Sequence, residues 1–144
     1  MFWGQRLPFL FLSAAYIAMI FLYASSKVVS DLAQFNPMSL LHIPLYGILA
    51  GLLFFSFFPI KTFWQKIRRG RINPGEDSPD EPKKPFIAFW ATGMIACAVA
   101  IFDEYHQSFI PTRDGSLGDV LLDMVGISLL LLIILRCIRN KALR

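Results

Sequence analysis

The sequence predicts an all-α fold, a four-transmembrane-helix bundle, on three observations. First, 56% of the 144 residues are hydrophobic and only 17% charged, with a mean hydropathy of +0.55; a soluble domain runs at roughly 45–50% apolar and about 25% charged. A chain this short has too much surface for its volume to bury such an excess in a core of its own. Second, the apolar residues are gathered into four long runs. Third, none of those runs alternates apolar and polar residues with the period of two that a barrel strand requires. Lipid is the solvent that accepts this composition, which excludes a disordered chain, a secreted disulfide scaffold and a soluble enzyme.

A bilayer core about 30 Å thick needs roughly 20 helical residues, within a range of about 17–25. The first run, Leu7–Ala24, has 18 residues. It exceeds the roughly 7–15 apolar residues of a signal-peptide core, so it reads as an uncleaved helix. The second, Leu40–Ile60, has 21 residues. Beyond it, Lys61–Arg71 interleaves bases with Phe63, Trp64 and Ile67, the pattern of a short interfacial helix. Asn73–Pro85 (NPGEDSPDEPKKP) has four prolines and mixed charge, a composition that builds no core and reads as a flexible cytoplasmic linker. The third run, Phe86–Phe102, has 17 residues and continues through polar residues to Gln107. The fourth, Leu117–Leu135, has 19 and reaches on to Ile138. Residues 1–144 form a single membrane domain on this reading. Cys97 and Cys137 lie in or at the end of apolar runs and read as small core hydrophobes, not a bridge or a metal site.

Charge sets the orientation. Twelve of the fourteen basic residues fall on the N-terminal segment, the 61–85 loop and the C-terminal tail, leaving Lys27 and Arg113 on the opposite side. The positive-inside rule then makes both termini and the long loop cytoplasmic. Six of the ten acids, Asp31, Asp103, Glu104, Asp114, Asp119 and Asp123, fall on the outer half. The basic balance therefore serves membrane orientation and anionic lipid rather than nucleic acid.

Function is sought where polar groups enter lipid at a cost, and here they collect at the outer end. The third helix runs into Asp103, Glu104, Tyr105, His106 and Gln107, of which Asp103, His106 and Gln107 share a face at i, i+3 and i+4. A turn follows, where Pro111 disfavours helix at Ile110 and Gly115 permits a positive φ. Ser116 is placed to cap the fourth helix, with Asp119 in the capping-box position. Asp123 lies roughly 10 Å past Ser116 at 1.5 Å per residue, with apolar residues on both sides. It must be protonated, paired or facing a wet pocket, and Arg113 is the nearby cation able to pair with two bonds. On the second helix His42 and Tyr46 share a face at the same depth, and Gly47 and Gly51 allow close helix approach.

The segment DEYHQSFIPTRDGSLGDVLLDMVG (Asp103–Gly126) resembles the signature of the VanZ-like family of small membrane proteins, approximately D-E-x-x-Q-x-x-x-P-x-R, then a D, then an N/D and a G on the last helix. Asp103, Glu104, Gln107, Pro111, Arg113, Asp119 and Gly126 match it, and weaker matches lie at Ser25–Ser26 and at His42 with Tyr46–Gly47. The chain departs from the pattern at Asp123, where Asn is common, and in its long 61–85 linker. The family takes its name from a protein linked to resistance against the glycopeptide antibiotic teicoplanin. The resemblance implies a cell-membrane protein of the envelope, with an effect on glycopeptide susceptibility as one expectation.

Three functions compete. The first is an outer-facing site for a phosphate- or glycan-bearing amphiphile, a membrane lipid or lipid-linked envelope substrate, with His42, Gln107, Arg113, Asp119 and Asp123 binding it; Arg113 would clamp a phosphate. In its enzymatic form Glu104 or Asp103 would act as general base and His106 or His42 as proton shuttle. No G-x-S-x-G, H-E-x-x-H or phosphate loop supplies a nucleophile or metal motif. A divalent cation could be held by Asp103, Asp119 and a histidine, although no ligand spacing demands one. The second function is a non-enzymatic scaffold in an envelope-assembly complex, locked by a buried ionic network. The third is proton-coupled transport, for which four spans would have to form a homo-dimer.

Overall fold

The computed structural model describes residues 3–24, 40–69, 85–111 and 115–139. Of the linker expected over 73–85, residues 73–84 lie outside them and Pro85 begins a helix; Ser25, Ser26, Lys27, Asp31, Arg113 and Asp114 also lie outside. Five helices follow one another: α1 (Trp3–Ala24), α2 (His42–Phe57), α3 (Ile60–Arg69), α4 (Pro85–Gln107) and α5 (Leu117–Arg139). There is no strand among the described residues.

Three of these helices are long and apolar enough to cross a membrane, over Gly4–Ala24, Pro85–Gln107 and Leu117–Ile138. Each turns large apolar side chains outward, with Phe11, Leu22, Met94 and Leu117 among the most exposed. A surface of that kind needs an apolar solvent.

The second apolar run does not form one 21-residue helix. It stops at Phe57, and α2 has 16 residues behind a 3₁₀ turn at 40–41. Pro59 is the cause: its ring crowds the preceding residue out of the α region, and Phe58 sits extended at φ −117°, ψ 119°. The chain resumes at once as α3, tied to the break by Phe63 N–H donating to the Pro59 carbonyl at 3.0 Å. As the base-and-aromatic pattern predicts, α3 is amphipathic: Thr62 and Phe63 are buried and Ile67 half-buried, while Lys61, Trp64 and Gln65 are exposed.

Although shortest of the apolar helices, α2 is the central one, packed against α1, α4 and α5. Tyr16 Oη donates to the Leu45 carbonyl at 3.1 Å, and the Ser13 and Ser56 hydroxyls meet at 3.2 Å. These contacts run α1 antiparallel to α2. Gly47 lies against the Gly126 backbone and Gly51 against Leu130, so α2 and α5 run parallel. Glu104 meets Ser116 and Gly93 lies beside Leu131, which makes α4 antiparallel to α5 and so to α2, where Tyr46 reaches Asp103. The end of α1, the start of α2, the end of α4 and the start of α5 therefore gather at one end of the bundle.

Close packing between helices in lipid depends on small residues, because lipid tails are as apolar as leucine and offer no hydrophobic drive. α4 turns Ala88, Thr92, Ala96 and Ala100 inward at every fourth position, all buried. The tightest approach is α2 on α5. A Cβ placed on Gly126 would fall on the Ile43 carbonyl oxygen and 2.9 Å from its carbonyl carbon, so any side chain there forces the helices apart. At the other end of α2, Phe54, Phe55, Phe58 and Phe63 form a tilted and edge-on aromatic cluster with centroids 5.4–5.6 Å apart. Phe9 of α1 joins it at 5.5 Å. Cys97 packs against the core as expected, whereas Cys137 is exposed on the bundle surface; both thiols are free.

Candidate functional site

Polar side chains from three helices converge where α2 and α5 begin and α4 ends. Asp123 is 0% exposed, Asp103 2% and Glu104 6%, burial that carboxylates tolerate only when paired, hydrogen-bonded or bound to a cation. Each has its own arrangement.

Asp123, in the second turn of α5, lies with Oδ1 2.9 Å from His42 Nδ1, within hydrogen-bond distance. The two form an ion pair when the ring is protonated. The Gly126–Ile43 contact, one turn further down, sets the spacing of the backbones that carry this pair. Asp103 accepts from Gln107 Nε2 at 3.0 Å, one turn along α4, and from Tyr46 Oη at 3.2 Å across to α2. Tyr46 in turn stacks on His42, one turn before it, with the rings 5° from parallel and centroids 6.4 Å apart.

Glu104 faces the start of α5. Its Oε2 accepts the Ser116 N–H at 2.8 Å. Ser116 caps α5 as expected, its Oγ accepting the Gly118 N–H at 3.1 Å. The return arm of the expected capping box is different: the Ser116 N–H, which Asp119 was expected to hold, is taken by Glu104 from another helix. A carboxylate at that position also meets the positive end of the α5 dipole. Gly115 serves the same junction by size. Its backbone lies outside the left-handed region, so the positive φ that glycine permits is not used; a Cβ there would come within 2.7 Å of the Glu104 carbonyl oxygen.

Of the residues expected at the site, His42, Asp103, Glu104, Gln107 and Asp123 are brought together. Asp119 stands at its edge, half-exposed. His106 is not part of it. The ring is exposed and packs edge-on against Phe21 of α1 at 5.6 Å, because the i+3 step carries it round the helix to α1 while the i+4 step keeps Gln107 with Asp103. Arg113 lies outside the described residues. Tyr46 was missing from the expected site residues, and its i+4 spacing from His42 was the signal that could have found it.

Chemically the cluster is rich in acceptors. Glu104 Oε1 and Asp123 Oδ2 are buried with no hydrogen-bond partner among the described residues. One donor atom each from His42, Glu104 and Asp123 can be chosen so that all lie within 4.8 Å of one another. Among the described residues, this set, rather than Asp103 and Asp119 with a histidine, is the one whose geometry could hold a metal.

Long lipid-facing helices around a buried polar cluster at one end define a multi-pass α-helical membrane protein. A family model described as VanZ/LLP1 matches residues 7–139, from α1 to the end of α5, and the chain belongs to that family. Comparison with curated proteins and with solved structures gave no match.

Proposed function

We propose that the protein crosses the membrane four times and that its polar cluster, opening towards the outer leaflet, binds the phosphate- or glycan-bearing headgroup of an envelope amphiphile. The fourth crossing is α2: 18 residues from Leu40 to Phe57 reach about 28 Å at helical and 3₁₀ rises, close to the thickness of a bilayer core. The alternating helix directions group the start of α1, the α3 segment and the end of α5 at one end. The excess of Lys and Arg in those segments supports a cytoplasmic location for that end.

The observation that carries the reading is the convergence of Asp103, Glu104 and Asp123 with His42, Tyr46 and Gln107 in one buried group. Carboxylate oxygens left without partners suit sugar hydroxyls, which donate to them. A phosphate would be met by Arg113 or through a cation, since the acids repel it. An effect on glycopeptide susceptibility would follow from holding such an envelope lipid.

A second reading has its own support. The Glu104–Ser116 and His42–Asp123 contacts fasten three helices together, so the cluster could serve only as the lock of a scaffold protein. Glu104→Gln separates the two, keeping shape while removing charge. Lipid mass spectrometry of the purified full chain should show an outer-leaflet phospholipid or glycolipid co-purifying with wild type and reduced at least about tenfold in Glu104→Gln, a loss of about 1.4 kcal/mol of binding, at unchanged protein yield. Equal lipid content in both proteins, or a Glu104→Gln variant that fails only by low yield, overturns the binding site in favour of the lock.

A further inference from the structure

We infer that His42, Glu104 and Asp123 form a binding site for a divalent transition-metal ion of the Zn²⁺ class. The inference stands on the cluster alone and does not require the lipid reading above.

Three features of the site argue for it. The donors come from three different helices, α2, α4 and α5, yet all lie within 4.8 Å of one another. Tetrahedral ligands about 2.1 Å from a shared ion lie about 3.4 Å apart, so the longest separation has to close by at most about 1.4 Å. The 2.9 Å between His42 Nδ1 and Asp123 Oδ1 is about 0.5 Å inside that tetrahedral spacing, so this pair has only to open slightly. In the metal-free chain this contact is a hydrogen bond, and the ion would replace its proton.

The second feature is the pair of orphaned oxygens. Glu104 Oε1 and Asp123 Oδ2 are shielded from solvent and without partners among the described residues, on side chains more than nine-tenths buried. Burying an acceptor without a partner costs about 1–3 kcal/mol, more when it is charged. A dication held by these two carboxylates and the imidazole would neutralise both charges in a medium of low dielectric and offer their unpartnered oxygens a ligand bond.

The third is rigidity. The Gly126–Ile43 approach fixes α2 against α5, and the Ser116 N–H fixes one Glu104 oxygen and leaves the other free. Pre-positioned ligands lower the cost of closing round an ion.

The donor set selects the metal. Imidazole nitrogen is a poor ligand for Mg²⁺ and Ca²⁺, which take oxygen, and suits Zn²⁺ and its neighbours. One nitrogen and two carboxylates give three protein ligands with at least one position left open. That position would take water or an oxyanion, including the phosphate of a headgroup that the acids alone would repel.

The test is Zn²⁺ titration by calorimetry on the full chain, purified in detergent without a polyhistidine tag and stripped with chelator. Cys97→Ala and Cys137→Ala in the background remove the free thiols as competing ligands. One equivalent of Zn²⁺ should bind, with Mg²⁺ and Ca²⁺ failing to compete at millimolar concentration. Glu104→Gln and Asp123→Asn should each weaken Zn²⁺ by roughly 100-fold or more, since even residues behind the ligands are worth 10–100-fold. His106→Ala, which removes the other imidazole, should leave the affinity unchanged. Absence of stoichiometric Zn²⁺ uptake by the otherwise wild-type chain overturns the site, whether or not the variants fold. So does binding that survives Glu104→Gln and Asp123→Asn, or that is lost with His106→Ala. Zinc binding without co-purifying lipid sustains the metal site and overturns the proposed headgroup site.

Discussion

The two ends of α2 hold the bundle together by different physics. At its start, His42 and Tyr46 tie α5 and α4 through directional bonds to buried carboxylates. At its finish, Phe54, Phe55 and Phe58 meet Phe9 and Phe63 ring to ring, beside the Ser13–Ser56 hydroxyl contact. The aromatic end gains dispersion and buries no carboxylate among the described residues. The polar end buries three carboxylates, and buried ionic groups are weak evidence for stability. Stability resides at one end, and chemistry is invited at the other.

The backbone contact beneath the polar end is the place where that division is most easily broken. Gly126→Ala sets a methyl group against the Ile43 carbonyl and should cost about 3 kcal/mol or more, read as thermal unfolding of the purified chain in detergent. Gly47→Ala on the facing helix meets the Gly126 carbonyl oxygen at 3.5 Å, an ordinary contact, and should stay within about 0.5 kcal/mol of wild type. Equal effects from the two would mean that α2 and α5 do not cross as described.

Phe54→Ala comes next, with an expected loss of about 3 kcal/mol in the same unfolding measurement. That is the low end for an aromatic truncation, because lipid accepts the ring almost as well as protein does. Ligand or metal binding at the far end should be unchanged in whatever fraction remains folded. Tyr46→Phe is the mildest change. It removes one bond to Asp103, which keeps Gln107, and should cost about 1 kcal/mol or less. If Tyr46→Phe unfolds the protein as Phe54→Ala does, the polar end is a structural lock and the contrast between the ends fails.

Much of the polar end was legible in the chain. Asp123 surrounded by apolar residues, the i+4 pair Asp103 and Gln107, and Ser116 ahead of an apolar run each carry a local physical signal that the structure bears out. The break before Pro59 was legible too, from the conformational limit on a residue that precedes proline, yet hydropathy alone runs straight through it. What local pattern missed was rotation about the helix axis. His106 and Gln107 are neighbours in sequence, and only the packing of α1 and α2 on either side of α4 sends one to Phe21 and the other to Asp103. Likewise, Asp119 holds the capping-box position for the Ser116 N–H along the chain, but Glu104 reaches it from another helix.

By itself the sequence determined the solvent: its apolar fraction and the length of its runs require lipid, and its small residues at fourth positions mark the faces where helices can touch. Which polar groups meet was decided only by the folded bundle. His42 and Asp123 are 81 residues apart, and nothing local couples them. Their distance follows from how closely two backbones can approach, and that limit is set at Gly126 by the absence of a single carbon atom.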